Sequence, residues 1–232
     1  MKKNAGAVGA IIVAAGRGNR MGLGYNKVLA SLSGRPVIEW TIKHFADSGL
    51  IKNLVLVISP EDEDIMGRIC APFTDRMKLT LAFGGEDRQD SVYQGLKALH
   101  EEIGLVLIHD GARPFIDREL ILRSIENAQK YGAACAGMPV KDTIKMVDMG
   151  NFICSTPERG LLWSAQTPQA FKKEIILESY DRAYQEGIRS TDDAGLAEAA
   201  GFQVIMFEGS YKNIKLTSAE DLIIAESIIK KL

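Results

Sequence analysis

Apolar residues along the chain fall into two alternating patterns. Short continuous runs, "VGAIIVAA" (8–15), "NLVLVIS" (53–59), "LTLAFG" (79–84) and "GLVLIHD" (104–110), have the length and apolar content of buried strands. Between them, 36–48, 61–70 and 88–102 carry apolar residues at helical spacing, and each segment ends near a polar or glycine signal. Strands of this kind separated by helices build a mostly parallel sheet covered on both faces. The rhythm resumes with a helix over 117–131, a strand over 133–140, helices over 172–186 and 192–200, a strand over 202–209 and a last helix over 218–231. Thr217 to Glu220 reads as the capping box of that helix.

One region departs from the rhythm. Over 141–162, "TIKMVD" and "NFICST" are short β-type pieces that flank Met149-Gly150, which reads as a hairpin turn. A hairpin there cannot bury both faces inside a three-layer domain. It is either an arm that packs on a second copy of the chain or a surface hairpin folded back on its own domain.

Composition narrows the class. The chain has 232 residues, 46% of them apolar, enough for one α/β domain spanning 1–232. Its 28 basic and 30 acidic residues give a formal charge of −2, which argues against general binding of nucleic acid or a membrane surface. Any basic site must be local. Cys70, Cys135 and Cys154 include no Cys-x-x-Cys pair, so they read as buried free thiols of a cytoplasmic protein. No apolar run approaches the roughly 18 residues of a membrane span, and no cleaved signal peptide is expected.

Candidate chemistry begins with "VAAGRGNRMGLGYNKVLA" (13–30), which holds four glycines and the cations Arg17, Arg20 and Lys27. Bare backbone lets N–H groups approach anionic oxygens, and the cations supply countercharge for a triphosphate. Two familiar loops do not fit. After Gly16 and Gly18, Met21 stands where a dinucleotide fingerprint needs its third glycine, and no Gly-Lys pair exists for an NTPase P-loop. In an open parallel sheet, ligands sit beyond the carboxyl ends of the strands, so the other loops at that edge count too. They are "GGEDRQDSV" (84–92), "HDGARPF" (109–115) and "GSYKNIKLT" (209–217). Asp87 or Asp90 reads as a helix cap. Asp110 and Arg113 form either a salt bridge or a substrate contact. His109 is the one histidine near this edge, and a structural role suits it better than a catalytic one. Metalloprotease and serine-hydrolase signatures and clustered His/Cys ligand sets are all missing.

With these loops in order, the chain resembles the cytidylyltransferases that act on 2-C-methyl-D-erythritol 4-phosphate in the non-mevalonate isoprenoid pathway. "AAGRGNRM", "NKVLA", "GGEDRQDSV", "HDGARPF", "PVKDTIK", "QTPQAF", "STDDAG" and "NIKLT" stand in that family's order. The resemblance implies a Rossmann-like α/β fold whose protruding β-arm builds a homodimer. It implies CMP transfer from CTP, with Mg²⁺ accompanying the nucleotide and no protein carboxylate cage for the metal. It matches Arg20, Lys27 and Lys215 to catalytic cations. Ala14, Ala15, Gly16, Gly85, Glu86, Ser91 and Gly111 match nucleotide contacts. Asp110, Arg113, Thr167, Thr191 and Lys215 match contacts to the acceptor, and Thr143 and Arg159 on the arm match contacts made by the partner subunit. The related ribitol-5-phosphate cytidylyltransferases tend to read "HDAVRPF" where this chain reads "HDGARPF", so the acceptor expected is methylerythritol phosphate, with ribitol 5-phosphate or another sugar phosphate as the alternative.

Overall fold

In the computed structural model, residues 6–16 and 24–231 are described. The strands are β1 (Ala7–Val13), β2 (Ser31–Leu32), β3 (Arg35–Pro36), β4 (Asn53–Ile58), β5 (Lys78–Phe83), β6 (Ile103–Asp110), β7 (Ala133–Pro139), β8 (Met146–Val147), β9 (Ile153–Ser155), β10 (Trp163–Lys172) and β11 (Ile205–Glu208). The helices are α1 (Val37–Ser48), α2 (Glu63–Cys70), α3 (Arg88–Ala98), α4 (Arg118–Tyr131), α5 (Lys173–Glu186), α6 (Asp193–Ala199) and α7 (Ala219–Ile229).

Seven strands form one sheet in the order β11-β7-β10-β6-β1-β4-β5. All neighbours are parallel except β10, which runs antiparallel to both β6 and β7. The period-2 alternation of each strand decides which face its side chains join. Leu54, Leu56 and Ile58 of β4 pack under α1, α2 and α4 with Ile42, Phe45 and Met66. Val55 and Val57 point to the opposite face and meet Val92 and Leu96 of α3 and, through Ile11 and Val106, the α5 residues Ile176 and Tyr180. A third cluster, Leu32, Val37, Phe115, Leu216 and Ala225, seats α7 beside the β2–β3 hairpin.

Two expectations need correction, and 163–171, to which the sequence pattern assigns no element, forms with Lys172 the strand β10 inside the sheet. Its proline is accommodated where the pairing with β7 breaks register, between Ala165 and Gln169; the Thr167–Pro168 peptide is cis. The capping box lies one residue later than expected: Ser218 is the N-cap, and Asp221, not Glu220, accepts from the Thr217 and Ser218 N–H groups. Cys70 and Cys135 are buried, with burial pushing both thiols up to about 12, but Cys154 is exposed on the hairpin.

The hairpin forms as β8 and β9, a two-stranded sheet of its own. Its turn extends through Asn151, whose φ is 65°. The Asp148 carboxylate accepts from the Gly150 and Phe152 N–H groups, an Asx-type closure. Every residue from 141 to 156 is exposed, so the hairpin is not folded back on its own domain.

Candidate active site

The strand order reverses direction at β1: the chain goes from β1 to β4 and β5 on one side, then returns to place β6 on the other. Such a switch point opens a crevice beyond the carboxyl ends of the strands. A cleft of about 770 Å³ lies there. Ala14, Ala15 and Gly16 line it from the end of β1, Ser59 and Glu61 from the end of β4, Gly84 to Arg88 from the end of β5, and Asp110 from the end of β6. Lys27 reaches it from a single 3-10 turn (Lys27–Leu29) and Lys215 from the loop before α7.

Of the residues expected at the site, Ala14, Ala15, Gly16, Lys27, Gly85, Glu86, Ser91, Asp110 and Lys215 share this cleft. Arg20 lies outside the described residues. Gly111, Arg113 and Thr167 are buried behind the wall instead of lining it. Gly111 donates to the Val13 carbonyl at 2.9 Å, and its own carbonyl accepts from Thr41. Thr191 is exposed in the loop before α6, and Thr143 and Arg159 are exposed on or beside the arm, away from this subunit's cleft.

The nucleotide side of the cleft is shaped by close packing. A Cβ on Gly84 would stand 2.6 Å from the Ala15 Cβ, and one on Gly85 would strike Asp90. Larger residues would therefore close the wall. Ser91 donates to the Asp87 carbonyl at 2.7 Å and accepts from the Gly85 N–H at 3.2 Å, fixing the turn. Asp87 caps α3, as one of the two sequence readings has it, by accepting from the Asp90 N–H at 2.8 Å.

On the other side, Asp110 sits among three cations: Lys215 at 2.7 Å, Arg88 at 3.3 Å and Arg113 at 3.7 Å. Burial alone would raise its pKa. The charges of Arg88 and Lys215 outweigh that and hold the carboxyl well below the usual carboxylate range. Arg88 continues to Asp193 at 2.8 Å, a fully buried carboxylate that also accepts from the Tyr180 hydroxyl at 2.6 Å. Burial opposes the Arg88 charge, but Asp193 and Asp110 prevail and raise its pKa.

His109 fixes the same wall from behind. The Arg113 carbonyl can only accept, so His109 Nε2–H donates to it at 3.1 Å. In the neutral ring Nδ1 is then the acceptor for the Thr167 hydroxyl at 3.1 Å, and the Thr167 oxygen accepts from the Asp110 N–H at 3.0 Å. Burial pushes the imidazole pKa down to about 4, so the ring is neutral near pH 7. It orients Asp110 and Arg113 and is not exposed to the cleft.

Sequence reasoning assigned no role to Asn26, Ser59, Gln89 or Asp193. Ser59 donates to the Ala15 carbonyl at 3.0 Å. The Gln89 amide donates to Ile188 O and accepts from the Ser190 N–H, both at 3.2 Å, and Arg189 pairs with Asp87 and Asp90. These bonds lace the loop that carries Thr191 to the start of α3. The opposite charges of Asp87 and Asp90 in "DRQD" and of Arg189 just before "STDD" are the trace of this contact in the sequence.

A doubly wound sheet that brings bare backbone and two lysines to its switch point defines an α/β protein built to hold a nucleotide's phosphates. The comparisons make that class specific. The IspD model, 2-C-methyl-D-erythritol 4-phosphate cytidylyltransferase, matches residues 8–231. The enzyme of that name from Caldanaerobacter subterraneus subsp. tengcongensis is 45% identical over 225 residues, covering 97% of this chain and 99% of its own. Its namesake from Clostridioides difficile is 46% identical over 219 residues, 94% and 92% of the two chains. The crystal structure of 4-diphosphocytidyl-2C-methyl-D-erythritol synthase from Anaerococcus prevotii superposes with a TM-score of 0.87 at 34% identity, covering 98% of this chain and all of that one. The chain belongs to the 2-C-methyl-D-erythritol 4-phosphate cytidylyltransferase family and is a nucleotidyltransferase. Among the described residues, no helix is long and apolar enough to cross a membrane.

Proposed function

We propose that the cleft binds CTP and 2-C-methyl-D-erythritol 4-phosphate and joins them as 4-diphosphocytidyl-2-C-methyl-D-erythritol, releasing pyrophosphate, in isoprenoid precursor synthesis. Family membership over nearly the whole chain supports the substrate pair. The observation that carries the chemistry is the convergence of Lys27 and Lys215 on one cleft with the bare backbone of 14–16. An oxygen of the acceptor's phosphate attacks the α-phosphorus of CTP. A P–O bond forms as the bond to the bridging oxygen breaks, and pyrophosphate leaves in line. A phosphate monoester is ionised near neutral pH, so no general base is needed, in keeping with a neutral, buried His109. Catalysis then rests on positioning and charge. Arg20 and Lys27 hold the triphosphate, and Lys215, steadied by Asp110, faces the α-phosphoryl oxygens. Gly85, Glu86 and Ser91 shape the pocket for the base, while Asp110 and Thr191 meet the acceptor.

Mg²⁺ belongs to this proposal as a companion of CTP. Among the described residues, no three carboxylate, histidine or cysteine side chains converge to hold an ion by themselves, and Asp110 is already engaged by cations. This donor set suits an ion that keeps water and phosphate oxygens as ligands and neutralises phosphate charge. The exposed arm supports a homodimer in which Thr143 and Arg159 of one subunit complete the acceptor site of the other. Pyrophosphate release from CTP, ATP, GTP and UTP, each with methylerythritol phosphate and with ribitol 5-phosphate, tests the reading. CTP with methylerythritol phosphate should be much the best pair. Equal or faster turnover with ribitol 5-phosphate would overturn it.

A further inference from the structure

Lys27 is carried by one short turn, and the residue before it makes more bonds to the cleft wall than any reading of "NKVLA" suggests. Asn26 is 6% exposed. Its Oδ1 accepts from the Val28 N–H at 3.3 Å, capping the turn that bears Lys27. Its Nδ2 donates to the Ala14 carbonyl at 2.6 Å and to the Asp62 carboxylate at 2.8 Å. The amide can face only one way, because a carbonyl and a carboxylate need its donors and a backbone N–H needs its acceptor. Three chain segments thus meet on one side chain: the loop after β1, the 3-10 turn after β4 (Pro60–Asp62), and the turn of Lys27. The Ala14 N–H is itself held by Val57 O at 2.7 Å, so the anchor belongs to the sheet.

We infer that Asn26 is a positioning residue for the transfer step, locking Lys27 in register with the Ala14–Gly16 backbone so that the cation and the loop act on the triphosphate as one unit. The inference rests on the assignment of Lys27 above. Aspartate and serine both keep an acceptor for the Val28 N–H, but neither supplies the amide's two donors. The Asn26→Asp change would also set a carboxylate against Asp62, whereas Asn26→Ser adds no charge.

The test is a double-mutant cycle on kcat, with Asn26→Asp and Asn26→Ser each made in the wild-type and the Lys27→Ala background. In wild type, either variant should lower kcat by about 10- to 100-fold, the scale of a small misplacement of a charge-stabilising group, with the KM for methylerythritol phosphate unchanged. In Lys27→Ala, the same changes should lower the residual kcat by less than about twofold, because the group they position is gone. A merely structural role would cost the same factor in both backgrounds, and that outcome overturns the inference. Full activity of Asn26→Ser overturns it as well. Full activity of Lys27→Ala overturns the role of Lys27 itself, which separates the two failures. If Asn26→Asp does not fold, Asn26→Ser carries the cycle alone.

Discussion

The cleft and the arm are built on opposite terms. In the cleft wall, key polar side chains are engaged by their own chain: Asp110 by three cations, Asn26 by three partners, Thr167 and His109 by each other. On the arm, apolar side chains stand in water. Met146, Val147, Met149, Phe152 and Ile153 are all exposed, and among the described residues the bonds of the arm beyond its root run within the hairpin itself. Groups held by many local bonds are preorganised before a ligand arrives, whereas an uncovered apolar face gains from a partner that covers it. The cleft is thus specified within one chain, whereas the arm, in the proposed dimer, would be specified by an encounter between two.

The largest expected effect breaks the cleft. Lys27→Ala should lower kcat by about 10²- to 10³-fold, the loss seen when one charge-stabilising donor is removed from a preorganised site. Steady-state pyrophosphate release measures it, and turnover within a few-fold of wild type would sink the role.

The next prediction probes what holds the cleft wall together. His109 has a folded pKa of about 4 against an unfolded value near 6.5, so the unfolded chain takes up the proton first. Its contribution is complete above about pH 6.5 and is lost as pH falls toward 4, a loss of about 3 kcal/mol over that window. His44, lowered mainly by burial, pushes the same way. Asp110, with its depressed pKa, adds its own loss only at still lower pH. Urea midpoints between pH 7.5 and 4 should trace this slope, and His109→Gln should flatten most of it. An unchanged slope in that variant would assign the pH response elsewhere.

How much of this was readable beforehand depends on the kind of contact. β4 was legible because "NLVLVI" is apolar at every position after its first and both of its faces are buried. β10 was not, because Gln166, Thr167, Pro168 and Gln169 interrupt its pattern. Those polar residues are buried for specific partners that lie far along the chain. Gln166 serves the Ser210 loop, Gln169 reaches Asp192 and Ala194, and Thr167 supports Asp110. Likewise Lys27 and Lys215 were legible as charges beside small residues, while Asn26 looks like an ordinary turn former until Ala14 and Asp62 are seen against it. Local pattern reports periodicity and composition, but a satisfied polar pair is a long-range fact.

A smaller signal comes from joining the two regions. If the arm completes a neighbour's cleft, Lys27→Ala and Arg159→Ala defects lie in different subunits of each composite site. Random exchange makes about half the dimers mixed, and one of the two sites in each mixed dimer is then intact, so about a quarter of all sites recover. Thr143→Ala should substitute for Arg159→Ala. CMP transfer by the mixture, with subunit exchange confirmed by a mass tag, is the measurement. No recovery would mean that each subunit's site is its own.

The smallest expected effect is the most pointed, because it should be close to zero in one quantity and not in another. Phe152 is 75% exposed, so Phe152→Ser removes little packing within its own subunit. Stability of the separate subunit should stay within about 0.5 kcal/mol of wild type, as for surface changes generally. A partner that binds only folded subunits stabilises them by mass action, so the wild-type Tm should climb with protein concentration as dimers form. In Phe152→Ser, the Tm at the dilute end should coincide with wild type, while the climb moves to higher concentration because the interface is weaker. A lower Tm at every concentration would place Phe152 in the core of its own subunit's stability. Identical curves would show that the arm tip covers nothing. Only a shared dilute limit with a displaced climb fits a cleft specified by one chain and an arm specified by two.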